Sequence, residues 1–475
     1  MEKIGIRAVM AQSGVGFGTS GARGLVSGMT DQVCGAYATA FVQVLLQSFA
    51  FERVALGMDL RPSSPRIAAA CAAAMRAEGI TVDWCGALPT PALALYGLSE
   101  GIPVVMVTGS HIPFDRNGIK FYRPDGEISK ADELAIADSV VTPLLDGASE
   151  PLGEPNPRAL AAYVQRYLGF FPAGALSGLR LGLYEHSSVA RDVFRTILEG
   201  LGAEVVSLGR TEAFVPIDTE AVAAVDIQRG RQWAAEYRFD AIMSTDGDGD
   251  RPLISDETGT WLRGDIVGLI CARYLGARHL VVPVSCNTAI ELSAAFASVT
   301  RTRIGSPYVI AGMDAIQGEG VVGFEANGGF LVGSRFERQG RVLAPLPTRD
   351  AVLPALAVLV AARSGGWRVS DLLRDLPARF TASDRLQDFP TQTSLALIDE
   401  LREDPARLQQ FMAGASPVSL DTTDGLRVTF DNGEIVHLRP SGNAPELRCY
   451  GEAASPARAV ALSTEILARI APLRP

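Results

Sequence analysis

Three stretches of this chain repeat one pattern: an apolar strand, a polar turn, an amphipathic helix and a second strand. The first starts at Arg53 (RVALGMDLRPSSPRIAAACAAAMRAEGITVDWCG), the second at Arg180 (RLGLYEHSSVARDVFRTILEGLGAEVVSLG) and the third at His279 (HLVVPVSCNTAIELSAAFASVTRTRIGSPYV). Strands that alternate with helices pack as parallel sheets, because each helix must bury its apolar stripe against a strand face. In the first unit Ser63 or Ser64 is suited to cap the helix, Pro65 to its first turn and Gly79 to its end. In the second, Val189, Val193, Ile197 and Leu201 recur at helical spacing and predict a buried stripe.

Each unit is followed by a further strand that ends in an unusual loop. Val104–Val107 leads into Thr108-Gly109-Ser110-His111, residues 241–244 into Asp246-Gly247-Asp248-Gly249-Asp250-Arg251, and Val321–Phe324 into Glu325-Ala326-Asn327-Gly328-Gly329. Open α/β sheets bind ligands beyond the carboxyl ends of their strands. The C-terminal part differs: helical patterns at 395–401 and 457–470 flank two strand-like runs, Leu426–Phe430 and 434–438. The expectation is an α/β protein with three similar mixed-sheet α/β domains, 1–153, 154–256 and 257–366, plus a smaller α+β domain, 367–475, around a central cleft. At 475 residues the chain is too long for one ordinary core, and a hydrophobic content of 47% argues against disorder.

The formal net charge of −10 speaks against a general nucleic-acid binder, so an anionic substrate must be drawn in by local Arg and Lys clusters. The six cysteines form no CxxC pair, which fits reduced thiols in a cytoplasmic protein. The N-terminus carries no basic-then-apolar signal pattern. The longest apolar stretch, 351–362, contains Pro354 and is too short to span a bilayer, so no membrane partner is expected.

In residues 246–251 three carboxylates alternate with glycines directly after a strand. Glycine lets the backbone curl so that Asp246, Asp248 and Asp250 converge. Crowded anions call for a hard cation, and oxygen-only ligands suit Mg²⁺. Ser110, at another strand end, could be a nucleophile or a turn serine bonded to its own backbone, and no Gly-x-Ser-x-Gly elbow surrounds it. Beside a carboxylate loop, a phosphorylated Ser110 would be a natural partner of Mg²⁺. His111 could move a proton or orient the loop, and Lys120 could neutralise a phosphoryl group or be an ordinary edge residue. Residues 17–24, with Arg23, form a small-residue loop that could approach a phosphate. Arg439-Pro440-Ser441-Gly442-Asn443 and Arg448 place a small-residue turn between two arginines, a phosphate cradle by composition. Glu325 and Asn327 suit sugar hydroxyls, and equally suit a plain turn.

Taken in order, these segments resemble the α-D-phosphohexomutase family, which includes phosphomannomutase/phosphoglucomutase and phosphoglucosamine mutase. Thr108-Gly109-Ser110-His111-Ile112-Pro113 is similar to the family's Thr-Ala-Ser-His-Asn-Pro phosphoserine loop. Residues 246–251 match the Mg²⁺ loop, 439–443 resemble Arg-Pro-Ser-Gly-Thr with Asn443 in place of threonine, and Lys120 and Arg23 fall at the family's lysine and N-terminal arginine. The sugar loop departs: Gly-Glu-x-Ser-Gly-His becomes Phe324-Glu325-Ala326-Asn327-Gly328-Gly329, and a Gly-His pair becomes Gly305-Ser306.

The resemblance implies an isomerase-class phosphotransferase that interconverts hexose 1-phosphate and 6-phosphate, of mannose or glucose, with phosphoglucosamine as an alternative substrate. Ser110 would be a phosphoserine and a Mg²⁺ ligand with Asp246, Asp248 and Asp250, and a hexose 1,6-bisphosphate would be intermediate and activator. His111, Lys120 and Arg23 would serve catalysis. Arg251, Glu325, Asn327, Gly305 and Ser306 would bind the sugar phosphate, and Arg439, Ser441, Gly442, Asn443 and Arg448 the non-reacting phosphate. Ser364-Gly365-Gly366 would be a hinge for the last domain. The chain would act as a monomer or homodimer. Two other classes share some of these features. A metal-dependent sugar phosphatase would not need the second phosphate loop, and a non-catalytic sugar-phosphate sensor need not keep the intact Ser110 and aspartate set.

Overall fold

The computed structural model describes residues 3–18, 21–144, 150–412, 416–441 and 445–474. Its three α/β units follow one scheme. In the first, Arg53–Met58 lies between Thr81–Ala87 and Val104–Val107, all parallel, and Arg116–Arg123 then pairs antiparallel with Val104–Val107. In the second, Arg180–Tyr184 lies between the parallel strands Glu204–Leu208 and Ala241–Thr245, followed by antiparallel Pro252–Ile254. In the third, His279–Pro283 lies between parallel Ser298–Thr302 and Val321–Phe324, followed by antiparallel Phe330–Val332 and then Leu346–Asp350. Each unusual loop therefore joins the third parallel strand to its antiparallel neighbour. That turn lies at the carboxyl end of the parallel strands, which is where such sheets bind ligands.

The helices form largely as their patterns require. Val189, Val193, Ile197 and Leu201 are all buried along the helix Arg191–Gly200 and its flanks. The helix Ser64–Ala77 has Pro65 in its first turn and Gly79, at φ 80°, just past its end. Its expected serine cap is absent. Ser64 Oγ donates instead to Asp59 Oδ1 at 2.6 Å, and Ser63 Oγ accepts from Asn117 Nδ2 at 2.8 Å. Both hydroxyls are drawn to polar groups at the strand end.

The three units share a continuous core. The helix Arg158–Phe170 packs between the first and third units, and its Tyr163 and Tyr167 hydroxyls both donate to the buried carboxylate of Asp350. Asp350 also accepts the amide of Val352 at 3.1 Å, at the start of Val352–Gly365. That helix is the apolar stretch noted in the sequence. It is almost wholly buried, and among the described residues no helix is long and apolar enough to cross a membrane. Its end holds the segment expected to be a hinge. Ser364 and Gly365 lie in its last turn, and Gly366, at φ 69°, returns its N–H to Arg363 O, so the segment is a hydrogen-bonded helix end.

The C-terminal unit has its own core. It is an antiparallel sheet in the order Phe380–Leu386, Leu447–Ala453, Ile435–Pro440, Leu426–Phe430, Pro417–Asp421. Leu426, Val428 and Phe430 alternate inward against Leu397, Leu401 and Ile466 of its helices. All six cysteines are buried and unpaired.

Candidate active site

The loop after Val104–Val107 is pinned from below by a cluster around Asp59. This carboxylate accepts from Thr108 Oγ1 at 2.8 Å, Ser64 Oγ at 2.6 Å and the backbone and Nε of Arg61 at 3.0 and 3.2 Å. The Arg61 guanidinium then donates to four carbonyls of the loop, those of Ser110, Ile112, Pro113 and Arg116, at 2.6–2.9 Å. It also lies 4.0 Å from the ring centre of Phe214 in the second unit. Gly109 leaves room for it, since a Cβ there would come within 2.6 Å of Arg61 Cζ. Ser110 is consequently held fully buried at φ 53°, a left-handed conformation that a serine adopts at some strain.

Ser110 Oγ donates to Asp246 Oδ2 at 2.6 Å, across 136 residues of sequence. Asp246 Oδ1 accepts the amides of Asp250 and Arg251 at 3.2 and 3.3 Å. Asp248 Oδ2 accepts from Thr90 Oγ1 at 2.6 Å and from Lys120 Nζ at 2.7 Å. Asp250 Oδ2 accepts from Lys120 Nζ at 2.7 Å and Arg349 Nε at 3.0 Å. Each carboxylate is thus gripped from one side.

The ligand atoms of Asp246, Asp248 and Asp250 lie within 4.8 Å of one another. Asp248 Oδ1 and Asp250 Oδ1 are buried with no hydrogen-bond partner. Two orphaned carboxylate oxygens beside a third carboxylate are an unfavourable arrangement without a cation. The set fits a hard divalent ion, with Ser110 Oγ next to it.

The electrostatics follow the same geometry. Burial, with Asp248 and Asp250 close by, pushes Asp246 well above the usual carboxylate range. Burial and Asp250 also raise Asp248, but the Lys120 ammonium and Thr90 more than offset them, and the net shift is downward. Burial is outweighed at Asp250 by Arg349, Lys120 and Arg251, which hold it down. His111 Nδ1 lies 2.8 Å from Arg251 Nη1 and 3.4 Å from Ser110 Oγ. Burial, then Arg251 and Arg23, hold His111 far below the usual imidazole range. Arg23 sits on Ala22–Leu25 opposite Gly118, and burial plus Arg251 and Arg349 lower it to about 10.

The sugar-loop candidates divide. Glu325 is buried and accepts from Arg349 Nη1 at 3.2 Å. Asn327 Oδ1 accepts the Gly329 amide at 2.9 Å, closing its own turn, and its carbonyl accepts from Thr219 Oγ1. Gly305, at φ 131°, starts the helix Ser306–Asp314. Ser306 points inward. It is fully buried, donates to Glu127 Oε2 at 2.9 Å and accepts from Arg349 Nη1 at 3.3 Å. A short hydroxyl cannot reach out from this position as an imidazole could, and it is consumed by the contact between the first and third units.

In the last domain Arg439 and Arg448 are register partners on adjacent strands. Arg439 Nε donates to Asp424 Oδ2 at 2.9 Å, and the buried Ser441 gives its amide to Glu446 O at 2.8 Å. Arg448 lies near Tyr450, Glu220 and Glu446 and lines a 250 Å³ cavity with Glu220 and Tyr450, between the second unit and the last. Gly442 and Asn443 lie outside the described residues.

Four residues at the site escape the sequence motifs: Asp59, Arg61, Thr90 and Arg349. The only local signal is that Asp59-Leu60-Arg61-Pro62 and Thr348-Arg349-Asp350 place charges at strand ends.

Family models for phosphoglucomutase/phosphomannomutase match this chain in three places: alpha/beta/alpha domain I at 14–143, alpha/beta/alpha domain III at 263–380 and the C-terminal domain at 391–469. A phosphomannomutase of Salmonella muenchen is 49% identical over 469 residues, covering 97% of both chains. A phosphomannomutase of Sinorhizobium fredii is 48% identical over 467 residues, covering 95% of this chain and 98% of its own. A phosphoglucomutase/phosphomannomutase family protein from Burkholderia thailandensis shares the fold with a TM-score of 0.73 at 20% identity, covering 96% of this chain and 97% of that one. Matched by models of three of the family's domains and, along nearly its whole length, by a phosphomannomutase, the chain belongs to the phosphoglucomutase/phosphomannomutase family, the α-D-phosphohexomutases, and is an isomerase-class phosphotransferase acting on hexose phosphates.

Proposed function

We propose that this enzyme interconverts mannose 1-phosphate and mannose 6-phosphate, with glucose phosphates as secondary substrates, through a phosphoserine at Ser110 and a 1,6-bisphosphate intermediate. The observation that carries this is the Ser110 hydroxyl, locked in a strained turn 2.6 Å from Asp246, in a carboxylate cluster with two buried oxygens that accept no hydrogen bond. The sugar assignment rests on the phosphomannomutases that align with the chain end to end.

Asp246, Asp248, Asp250 and Ser110 would hold Mg²⁺. When bound, it supplies positive charge that offsets the anionic phosphoryl group during transfer. The chain's own residues do the rest. Arg61 and Asp59 fix the loop, so the Ser110 oxygen is placed before substrate arrives. In the forward step the bond between Ser110 Oγ and phosphorus breaks, and a bond forms from phosphorus to the free hydroxyl of the hexose monophosphate. The hydroxyl proton passes to a neighbouring base, for which His111 stands 3.4 Å from Ser110 Oγ, and the departing Ser110 oxygen takes up a proton in turn. Lys120 and Arg251 bring positive charge to the transferring group. Glu325 accepts from sugar hydroxyls, and Arg439 and Arg448 hold the phosphate that does not react. The bisphosphate then reverses and returns its other phosphate to Ser110. Burial of Ser110, Lys120 and the aspartates keeps water from intercepting the phosphoryl group.

A coupled mutase assay tests this, with Mg²⁺, a trace of glucose 1,6-bisphosphate, and mannose, glucose and glucosamine 1-phosphates in parallel. Turnover should be fastest with mannose 1-phosphate and lost in Ser110→Ala. Equal activity in Ser110→Ala, or release of inorganic phosphate in place of isomer, would overturn the proposal.

A further inference from the structure

The sugar loop lacks a side chain where the family pattern carries histidine, and Gly329 stands there. That vacancy is filled. A Cβ on Gly329 would lie 2.7 Å from Arg349 Cδ, 2.8 Å from its Cγ and 3.0 Å from its Cβ. Phe330 and Asp350 are register partners on adjacent strands, which brings the Arg349 side chain under the Gly329 backbone. The arginine cannot move aside cheaply, because its head is anchored. Nε donates to Asp250 Oδ2 at 3.0 Å with Nη2 2.9 Å from the same oxygen, and Nη1 reaches Glu325 Oε2 at 3.2 Å and Ser306 Oγ at 3.3 Å.

Arg349 is thus a buried bridge between two loops that carry different halves of the chemistry. One end restrains a carboxylate of the acidic cluster, and the other restrains the sugar-loop carboxylate. The guanidinium fork suits this because it is planar and offers separate donors on two edges, which a lysine ammonium cannot do. Holding Asp250 by Oδ2 also leaves Oδ1 without a hydrogen bond, 3.5 Å from Arg251 Nε. Ser306 completes the fit, passing the connection to Glu127, which also accepts from Thr348 Oγ1 at 2.8 Å.

We propose that Arg349, in the space left by Gly329, is a positioning and specificity-determining residue of the mutase reaction: it sets the orientation of Glu325 toward the hexose hydroxyls and ties it to the Asp250 carboxylate. This rests on the mutase reading above. Arg349 acts through Glu325 and Asp250 and makes no contact of its own with the sugar.

The test is a mutant cycle on the full-length enzyme: Gly329→Ala, Arg349→Ala and the double variant, with Arg349→Lys beside them. For each, kcat and KM are measured with mannose 1-phosphate and glucose 1-phosphate. Binding of mannose 1-phosphate is measured calorimetrically in a Ser110→Ala background, and melting temperature is recorded throughout. Gly329→Ala alone should raise KM, and weaken calorimetric binding, by about tenfold or more, with the preference between the two sugars altered. In the Arg349→Ala background the same glycine change should have a clearly smaller effect, because the Cγ and Cδ atoms it would clash with are gone and only the Cβ contact at 3.0 Å remains. Arg349→Lys should keep the fold by melting temperature yet fail to restore KM. The inference is overturned if the Gly329→Ala effect is the same in both backgrounds, or if Arg349→Lys matches the parent in KM and sugar preference. If the parent enzyme neither binds nor turns over any hexose phosphate, the mutase reading fails. The melting temperatures of the four variants then still read whether residues 329 and 349 are coupled.

Discussion

Changing Arg61 is the sharpest probe of how the nucleophile is held. Its side chain serves the carboxylate of Asp59 and the carbonyls of Ser110, Ile112, Pro113 and Arg116 at once. A lysine there keeps the charge but has fewer N–H donors than these acceptors require, so some buried groups lose their partner. Each such group costs about 1–3 kcal/mol, and losing two or so weakens the native loop by about 2–6 kcal/mol. The loop can relieve this by shifting, and Ser110, at φ 53°, is the residue with strain to release. A displacement of about 1 Å at a reacting atom is worth about 10²-fold in rate.

We therefore expect Arg61→Lys to lower kcat about 10²-fold, with KM little changed because the groups that grip the substrate lie on other domains. Steady-state mutase kinetics read this effect, and amide exchange across residues 108–116 should be faster in the variant. Arg61→Met would strand Asp59, a buried carboxylate that burial already raises, and should destabilise the whole unit by about 3–5 kcal/mol. An Arg61→Lys enzyme with wild-type kcat and an equally protected loop would refute the reasoning.

Three further outcomes follow from the same geometry. A chelator should abolish mutase activity and Mg²⁺ should restore it, while Asp248→Asn, which removes one of the buried carboxylates, should need more Mg²⁺ for half-activation; a wild type indifferent to chelation would contradict this. His437 is buried, donates from Nε2 to Asp424 O at 2.5 Å, and is lowered by burial to about 4. The unfolded chain then binds its proton first as pH falls, so stability is full above the unfolded value near ~6.5 and declines toward pH ~4, by about 2 kcal/mol at pH ~5. Urea unfolding of the C-terminal unit at neutral and acid pH should show a smaller decline in His437→Gln, and identical declines would rule the effect out. Tyr167→Phe removes a hydroxyl from the buried Asp350 carboxylate and should lower stability by about 1.5–3 kcal/mol without altering KM, measured by chemical denaturation beside kinetics.

The parts of this protein that could be read from its sequence are those whose meaning is local. Strand-then-helix periodicity places the three sheets, and glycines alternating with aspartates mark a turn whatever packs around it. Ser110 and Asp246 were separately visible as strand-end features, and the family pattern joined them; their hydrogen bond spans 136 residues that no spacing argument could bridge. Arg61 and Arg349 were missed for this reason. Each looks like an ordinary charge at a strand end, and its role exists only through acceptors brought together by folding, 49 residues away at Ser110 and 99 at Asp250.

Ser306 shows the opposite case. Its place in a motif suggested a ligand contact, while its hydroxyl is bound to Glu127 on another domain. Ser63 and Ser64 show a local rule overridden: a helix cap gains a hydrogen bond, but Asp59 and Asn117 offer stronger buried claims on those hydroxyls.

The central claim is that Ser110 carries the phosphoryl group between the two ends of the hexose. Intact-protein and peptide mass spectrometry after brief exposure to glucose 1,6-bisphosphate tests it most directly. The account predicts one phosphoryl group per chain, located on Ser110, stable in buffer, discharged on adding mannose 1-phosphate with bisphosphate or mannose 6-phosphate as the product, and absent from Ser110→Ala. A chain that stays unmodified while turning over substrate, or that takes up phosphate at another residue in Ser110→Ala and remains active, would contradict it.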